Sequence, residues 1–199
     1  VKLNIDIMLD SLKFNLLERP KLVHRIDKQT SGLLLVARTL KSSKYYGELF
    51  KNHEIEKVYL SIVNGCPKYK KGKITLSIGK EKKLQSLTYF KVLECKNRLS
   101  LLALKPVTGR KHQLREHLNS IGNQIYGETK FVNEENLELQ ANQKYLHLHA
   151  YSLRFLEQDG KIKKICAPLP KHFEITLRKN SLGNTLANKN IIFKNLENY

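Results

Sequence analysis

The chain has 199 residues, of which 41% are hydrophobic and 27% charged. That is the length of one ordinary domain, with enough apolar material for a buried core, which excludes wholesale disorder. Lysine and arginine total 36 against 18 aspartate and glutamate, a formal net charge of +18. An excess of this size attracts polyanions, nucleic acid foremost; a lysine-rich surface from an A/T-biased genome is the plainer explanation. No apolar run approaches the roughly 18–20 residues needed to cross a bilayer. The first residues carry no signal-peptide pattern, and tryptophan, a usual anchor of interfacial helices, is absent. The chain reads as cytoplasmic, with no membrane partner, and the missing initiator Met implies a natural start further upstream.

In chain order, Ser11–Glu18 reads as a short helix stopped before Pro20, and the apolar run Leu33–Ala37 suits a strand covered on both faces. Ser42–His53 carries Tyr46, Leu49 and Phe50 at helical spacing. Val58–Val63 is a strand ended by Gly65 and Pro67. Lys73–Ile78, Ser86–Glu94 and Leu99–Lys105 are three more. Residues 110–121 form the clearest helix, with Leu114, Leu118 and Ile121 on one face. Leu146–Phe155 and Lys161–Cys166 make a late hairpin around Asp159-Gly160, and Phe173–Lys179 fits helix or strand. Strands in runs with a few helices between them indicate α+β, with a mixed, mainly antiparallel sheet and not a doubly wound one. The tail beyond Asn180 is rich in Asn and Lys and reads as an extension. Cys66, Cys95 and Cys166 are odd in number and far apart; they indicate neither a zinc site nor a disulfide framework, and read as buried small hydrophobes in a reducing compartment.

Two clusters carry potential chemistry. In His24-Arg25-Ile26-Asp27-Lys28-Gln29-Thr30-Ser31-Gly32 one carboxylate stands between two cations ahead of an apolar run. Adjacent positive charge favours the ionised form, and an ionised, well-held Asp can act as a nucleophile. Equally, Asp27 could cap a turn by bonding backbone N–H groups near Thr30, and local composition alone favours that reading. In Thr108-Gly109-Arg110-Lys111-His112-Gln113-Leu114-Arg115-Glu116-His117 a turn leads into the helix. Lys111, Arg115 and Asn119 then form a polar stripe beside the apolar face. Cations packed into a first helical turn suit a phosphate better than a merely solvated face. His112 and His117 are five apart and do not share a helix face, and His147 and His149 lack a third ligand nearby, so no metal site is indicated. Nucleotide-cofactor and nucleophile-elbow motifs are absent.

These segments resemble a known family. His24–Gly32 resembles the H-R-[LI]-D-x-x-T-S-G signature of the RluA/RluC/RluD-like RNA pseudouridine synthases. Lys57-Val58-Tyr59 resembles its K-x-Y motif, Thr108–His117 its T-G-R-x-H-Q-[IL]-R-x-H motif, and Leu148-His149-Ala150 its late L-H-A segment, in the same order over residues 20–178. Arg19–Val23 and Ser86–Leu93 are most similar to the RluC-type members, which modify large-subunit ribosomal RNA.

The resemblance implies the pseudouridine synthase catalytic-domain fold over 1–180, with its active site in a basic central cleft and a C-terminal extension over 181–199. It implies isomerisation of specific uridines to pseudouridine in structured RNA, large-subunit ribosomal RNA foremost, by a monomer needing no cofactor, metal or obligate protein partner. Asp27 would be the catalytic carboxylate, attacking the ribose C1′ or the base C6. Arg115 would pair with Asp27, and Tyr59 would pack on the target base and assist proton removal. Arg25 would replace the flipped nucleotide, since the reacting base must leave its stack, while Arg110, Lys111 and His112 would meet phosphates. Three departures accompany it: no N-K-P-A-G-like opening strand pair, no S4-type RNA-binding domain, and Gly127-Glu128-Thr129-Lys130-Phe131 where the family has G-D-x-K-Y. Two rivals follow, a binding-only RNA module of the same fold and a ribonuclease using His112 or His117 with Lys111.

Overall fold

The computed structural model describes residues 5–79, 84–131 and 144–187, together with Ile192 and Leu196. Its scaffold is a seven-stranded sheet whose central strands are apolar on both faces. These are β4 (Glu56–Asn64) and β7 (Leu99–Pro106), paired antiparallel from Tyr59↔Leu104 to Asn64↔Leu99. In β7 the run Leu-Ser-Leu-Leu-Ala-Leu leaves no polar face because neither side meets water, which is why it reads as continuous, not alternating. Leu99, Leu101 and Ala103 pack with Val58, Leu60, Ile62, Tyr151 and helix α4 (Lys171–Lys179) on one side. Leu102 and Leu104 pack with Phe90, Leu148 and helix α3 (Gln113–Ser120) on the other.

The remaining strands extend the sheet in the order β2-β8-β4-β7-β6-β5, with β9 also on β8. They are β2 (Ser31–Gly32), β5 (Lys71–Ile78), β6 (Leu84–Lys96), β8 (Leu148–Leu156) and β9 (Ile162–Cys166). All named ladders are antiparallel except β2·β8, so the architecture is mixed, mainly antiparallel α+β. The β8–β9 hairpin and helix α2 (Leu40–Lys51) stand where the sequence places them. Thr39 caps α2 in a reciprocal box with Ser42, and Leu49, Phe50 and Tyr46 close a third cluster against Leu153 and Phe155. The 173–179 segment, open between helix and strand, is helical.

Three expectations are corrected. The N-terminal helix is α1 (Ile5–Met8), continued as a 3-10 turn over Leu9–Leu12, and not Ser11–Glu18. Arg19 folds the following residues back by ion pairs to Asp6 and Asp10 at 3.3 and 3.0 Å. Leu33–Ala37 is not one strand. The chain leaves β2 there and joins β3 (Val36–Ala37), which pairs with β1 (Lys21–Leu22), while the Leu35 N–H between them donates to His24 Nε2 at 2.8 Å. Cys66 and Cys95 are not buried small hydrophobes but a disulfide-bonded pair, Cα–Cα 5.9 Å, joining the turn after β4 to the end of β6, and all three cysteines are exposed. Beyond α4, Leu182, Ile192 and Leu196 are core residues, and Glu94 accepts the N–H groups of Gly183 and Thr185; the rest of 181–199 past Ala187 lies outside the described residues. Among the described residues, no helix is long and apolar enough to cross a membrane.

Candidate active site

The signature segment is built to hold a loop rigidly over the sheet edge. The Thr30 N–H donates to the Asp27 carbonyl at 2.9 Å, making a tight turn, and Thr30 is buried. Ser31 Oγ bonds His149 Nδ1 at 2.9 Å, and the Leu33 N–H reaches the Ala150 carbonyl at 2.9 Å. Gly32 has φ +105°, and a Cβ there would sit 2.2 Å from the Ala150 oxygen, so only glycine allows this approach. Thus the T-S-G and L-H-A segments, far apart in the chain, are one structural unit. At the other end His24 stacks on Phe50 at 4.2 Å. Burial, helped by the Lys57 charge, pulls its ring down to about 4, so it is neutral and can accept the Leu35 N–H.

The second motif is a turn pinned by one amide. Gln113 Oε1 accepts from Thr108 Oγ1 (2.7 Å) and the Arg110 N–H (3.0 Å). Its Nε2 donates to the Leu87 carbonyl and Thr88 Oγ1, both at 3.0 Å. Helix α3 therefore starts at Gln113 and not at 110, behind His112 in a left-handed conformation (φ 57°).

Between the two motifs lies a cleft of about 510 Å³, within the range of roughly 300–1,000 Å³ usual for ligand sites. Asp27, Tyr59, Arg25, Arg110 and Lys111 all line it. Its apolar lining includes Ile26, Pro106, Leu114 and Leu148, and Lys57 adds a further cation that burial holds below its usual pKa. The Asp27 side chain is 16% exposed, and among the described residues no hydrogen bond goes to its carboxylate. The turn-capping alternative therefore holds only for its backbone. Tyr59 stands beside a shift in the β4·β8 register that skips Tyr151, an irregularity of the kind that re-aims side chains near sites. Burial and the Asp27 charge push its phenol up to about 12.

Arg115 and His112 lie behind the cleft. Arg115 is buried, and its ion pair is with Glu128, Nε–Oε2 2.7 Å and Nη2–Oε1 2.5 Å, not with Asp27; Nη2 also reaches Gln29 Oε1 at 3.3 Å. Burial opposes the charge, but Glu128, with Asp27 acting through its charge, holds the guanidinium above its ordinary pKa. The polar stripe expected for α3 is thus interrupted, since Arg115 faces inward. His112 Nδ1 lies 3.2 Å from Lys130 Nζ, which can only donate, so the ring proton is on Nε2, 3.9 Å from Asp27 Oδ1. Burial, and the charges of Lys130, Arg115 and Lys111 against that of Asp27, lower its pKa. His117 is buried on Ser86, and His147 on Thr176, outside the cleft. Among the described residues no three His, Cys, Asp or Glu side chains gather as metal ligands. Sequence reasoning gave no role to Gln29, Gln113 and Glu128; the two glutamines lie inside the motifs, but nothing local marks Glu128 as the partner of Arg115.

A carboxylate with no hydrogen bond from a described residue, a permanent cation behind it, a protonated phenol and a cationic rim over an apolar floor suit a flat, uncharged ring carried on a polyanion. A family model described as RNA pseudouridylate synthase matches residues 5–120. The ribosomal large subunit pseudouridine synthase C of Rickettsia prowazekii (strain Madrid E) is 37% identical over 188 residues, 87% of this chain and 61% of that protein. The corresponding synthase D of Borreliella burgdorferi is 32% identical over 203 residues, 94% and 60%. The solved human RNA pseudouridylate synthase domain containing 1 superposes with a TM-score of 0.72 at 26% identity, over 84% of this chain and 76% of that one. The chain spans about 60% of the length of those two bacterial relatives. With the signature loop, the pinned turn and the cleft agreeing with a match over more than half its length, this chain belongs to the RNA pseudouridylate synthase family.

Proposed function

We propose that the chain isomerises uridine to pseudouridine in structured RNA of the large ribosomal subunit, in the cytoplasm, as a monomer. The observation that carries this reading is the Asp27 carboxylate, facing a cleft with cations on its rim and no hydrogen bond to a described residue. A target base flipped from its stack enters over Leu114 and Leu148, beside Tyr59. Asp27 attacks C1′ or C6 and the bond from N1 to C1′ breaks; the uracil turns, C5 bonds to C1′ as the bond to Asp27 breaks, and C5 then loses its proton while N1 takes one up. Atoms are conserved, so the reaction itself consumes no cofactor. Arg115 keeps a fixed positive charge near Asp27, Arg25 occupies the space of the flipped nucleotide, and Arg110 and Lys111 meet phosphates. The names of the bacterial relatives support the choice of large-subunit ribosomal RNA.

Digesting unmodified large-subunit RNA to nucleosides after incubation with the chain tests this. Pseudouridine should appear, with an equal loss of uridine and no shortened RNA. RNA binding without pseudouridine would favour a binding module, and shortened RNA would favour strand scission. Scission already loses His117, which is fully buried.

A further inference from the structure

We infer that Glu128 is a positioning residue for the isomerisation, orienting Arg115 and, through Gln29, the loop that carries Asp27. The inference rests on the function proposed above. Arg115 and Glu128 are 5% and 1% exposed, so neither charge is solvated and each depends on the other. Glu128 takes Arg115 Nε and Nη2 in a two-bond fork, which fixes the plane of the guanidinium as a single contact could not. Nη2 spans to Gln29, two residues after Asp27, and Nη1 makes no hydrogen bond to a described residue, which leaves it uncommitted.

The carboxylate is itself held. Its Oε1 accepts the N–H groups of Lys130 at 2.7 Å and Phe131 at 3.3 Å. Gly127 before it has φ +84°, with the Tyr145 carbonyl so close that a Cβ would lie 2.0 Å from it. The Phe131 ring covers the guanidinium at 5.3 Å and meets the His112 ring edge-on at 5.6 Å. Both departures from the G-D-x-K-Y pattern, Glu128 and Phe131, therefore touch Arg115. Without Glu128 the buried guanidinium would lose the fork that fixes its plane, and with it the set reach of Nη2 to Gln29 beside the Asp27 loop.

Steady-state tritium release from RNA labelled at uridine C5 tests this with E128Q, E128D, Q29A and R115K variants. E128Q should lower kcat about 100-fold, the usual scale for a misplaced catalytic group, while KM for RNA stays within about twofold. E128D, which keeps the charge, should recover most of kcat. In the R115K background, which has no fork to orient, E128Q should cost little more. Gln29 is exposed, so Q29A folds even if E128Q does not, and it should lower kcat about tenfold at constant KM. Parental kcat in E128Q, E128D as poor as E128Q, additive losses with R115K, or an unaffected Q29A would overturn the inference. A parent chain that releases no tritium would instead overturn the proposed function, and this inference with it.

Discussion

At the scale of single residues, the cleft separates groups that the family resemblance treats together. Tyr59, with its phenol near 12, keeps its proton throughout the neutral range. A phenol held protonated would stack on a base or donate a hydrogen bond and would not take the C5 proton as a phenolate. Tritium release should therefore stay level between about pH 7 and pH 9 and not rise tenfold per unit, as a phenolate base would require. A steep rise across that range would return Tyr59 to the role of base. Lys111 is exposed on the cleft rim, where a phosphate contact releases counterions. Replacing it with Gln should make the dependence of log binding constant on log salt shallower by about one, and an unchanged slope would remove it from the RNA contact. His112 differs from both, standing between Asp27 and Lys130 with its pKa lowered by burial.

At the scale of elements, the site depends on two close approaches that fix loops to the sheet. Gly32 lies against Ala150 of β8 with φ +105°, so Gly32→Ala should combine a backbone strain with a steric push. The expected loss is more than about 2 kcal/mol in denaturant unfolding, and an unshifted midpoint would show that β2 can part from β8 without cost. The glycine was legible in the sequence as part of a signature, because its constraint is local. The helix at 113–120 was legible from apolar periodicity, and the strands of the central sheet from β-rich runs bounded by turn residues. Pairs joined only by the fold were not. Nothing in the sequence sets Glu128 beside Arg115, Cys66 beside Cys95, or Arg19 back upon Asp6 and Asp10. The run Leu33–Ala37 misled for the same reason, since its backbone partners are a distant strand and a histidine ring.

At the scale of the whole molecule, acid stability follows from histidines that the site does not use. His117 and His147 are 0% and 2% exposed, and burial lowers both to about 4. In the unfolded chain they titrate near 6.5, so between these values the unfolded state binds more protons and stability falls as pH falls. Each should cost about 2 kcal/mol between pH 7 and pH 5, read as a drop in unfolding free energy; equal stability at the two values would mean that the rings are solvated. The same fold brings the Asp27 loop, α3 and β4 to one basic cleft, and the central claim is that Asp27 acts there as the nucleophile. Its most direct test is tritium release from C5-labelled large-subunit RNA by the chain and by Asp27→Asn, with RNA affinity measured alongside. Release by the parent, none by the variant, and affinities within about twofold is the predicted result. Release by Asp27→Asn at the parental rate would contradict it.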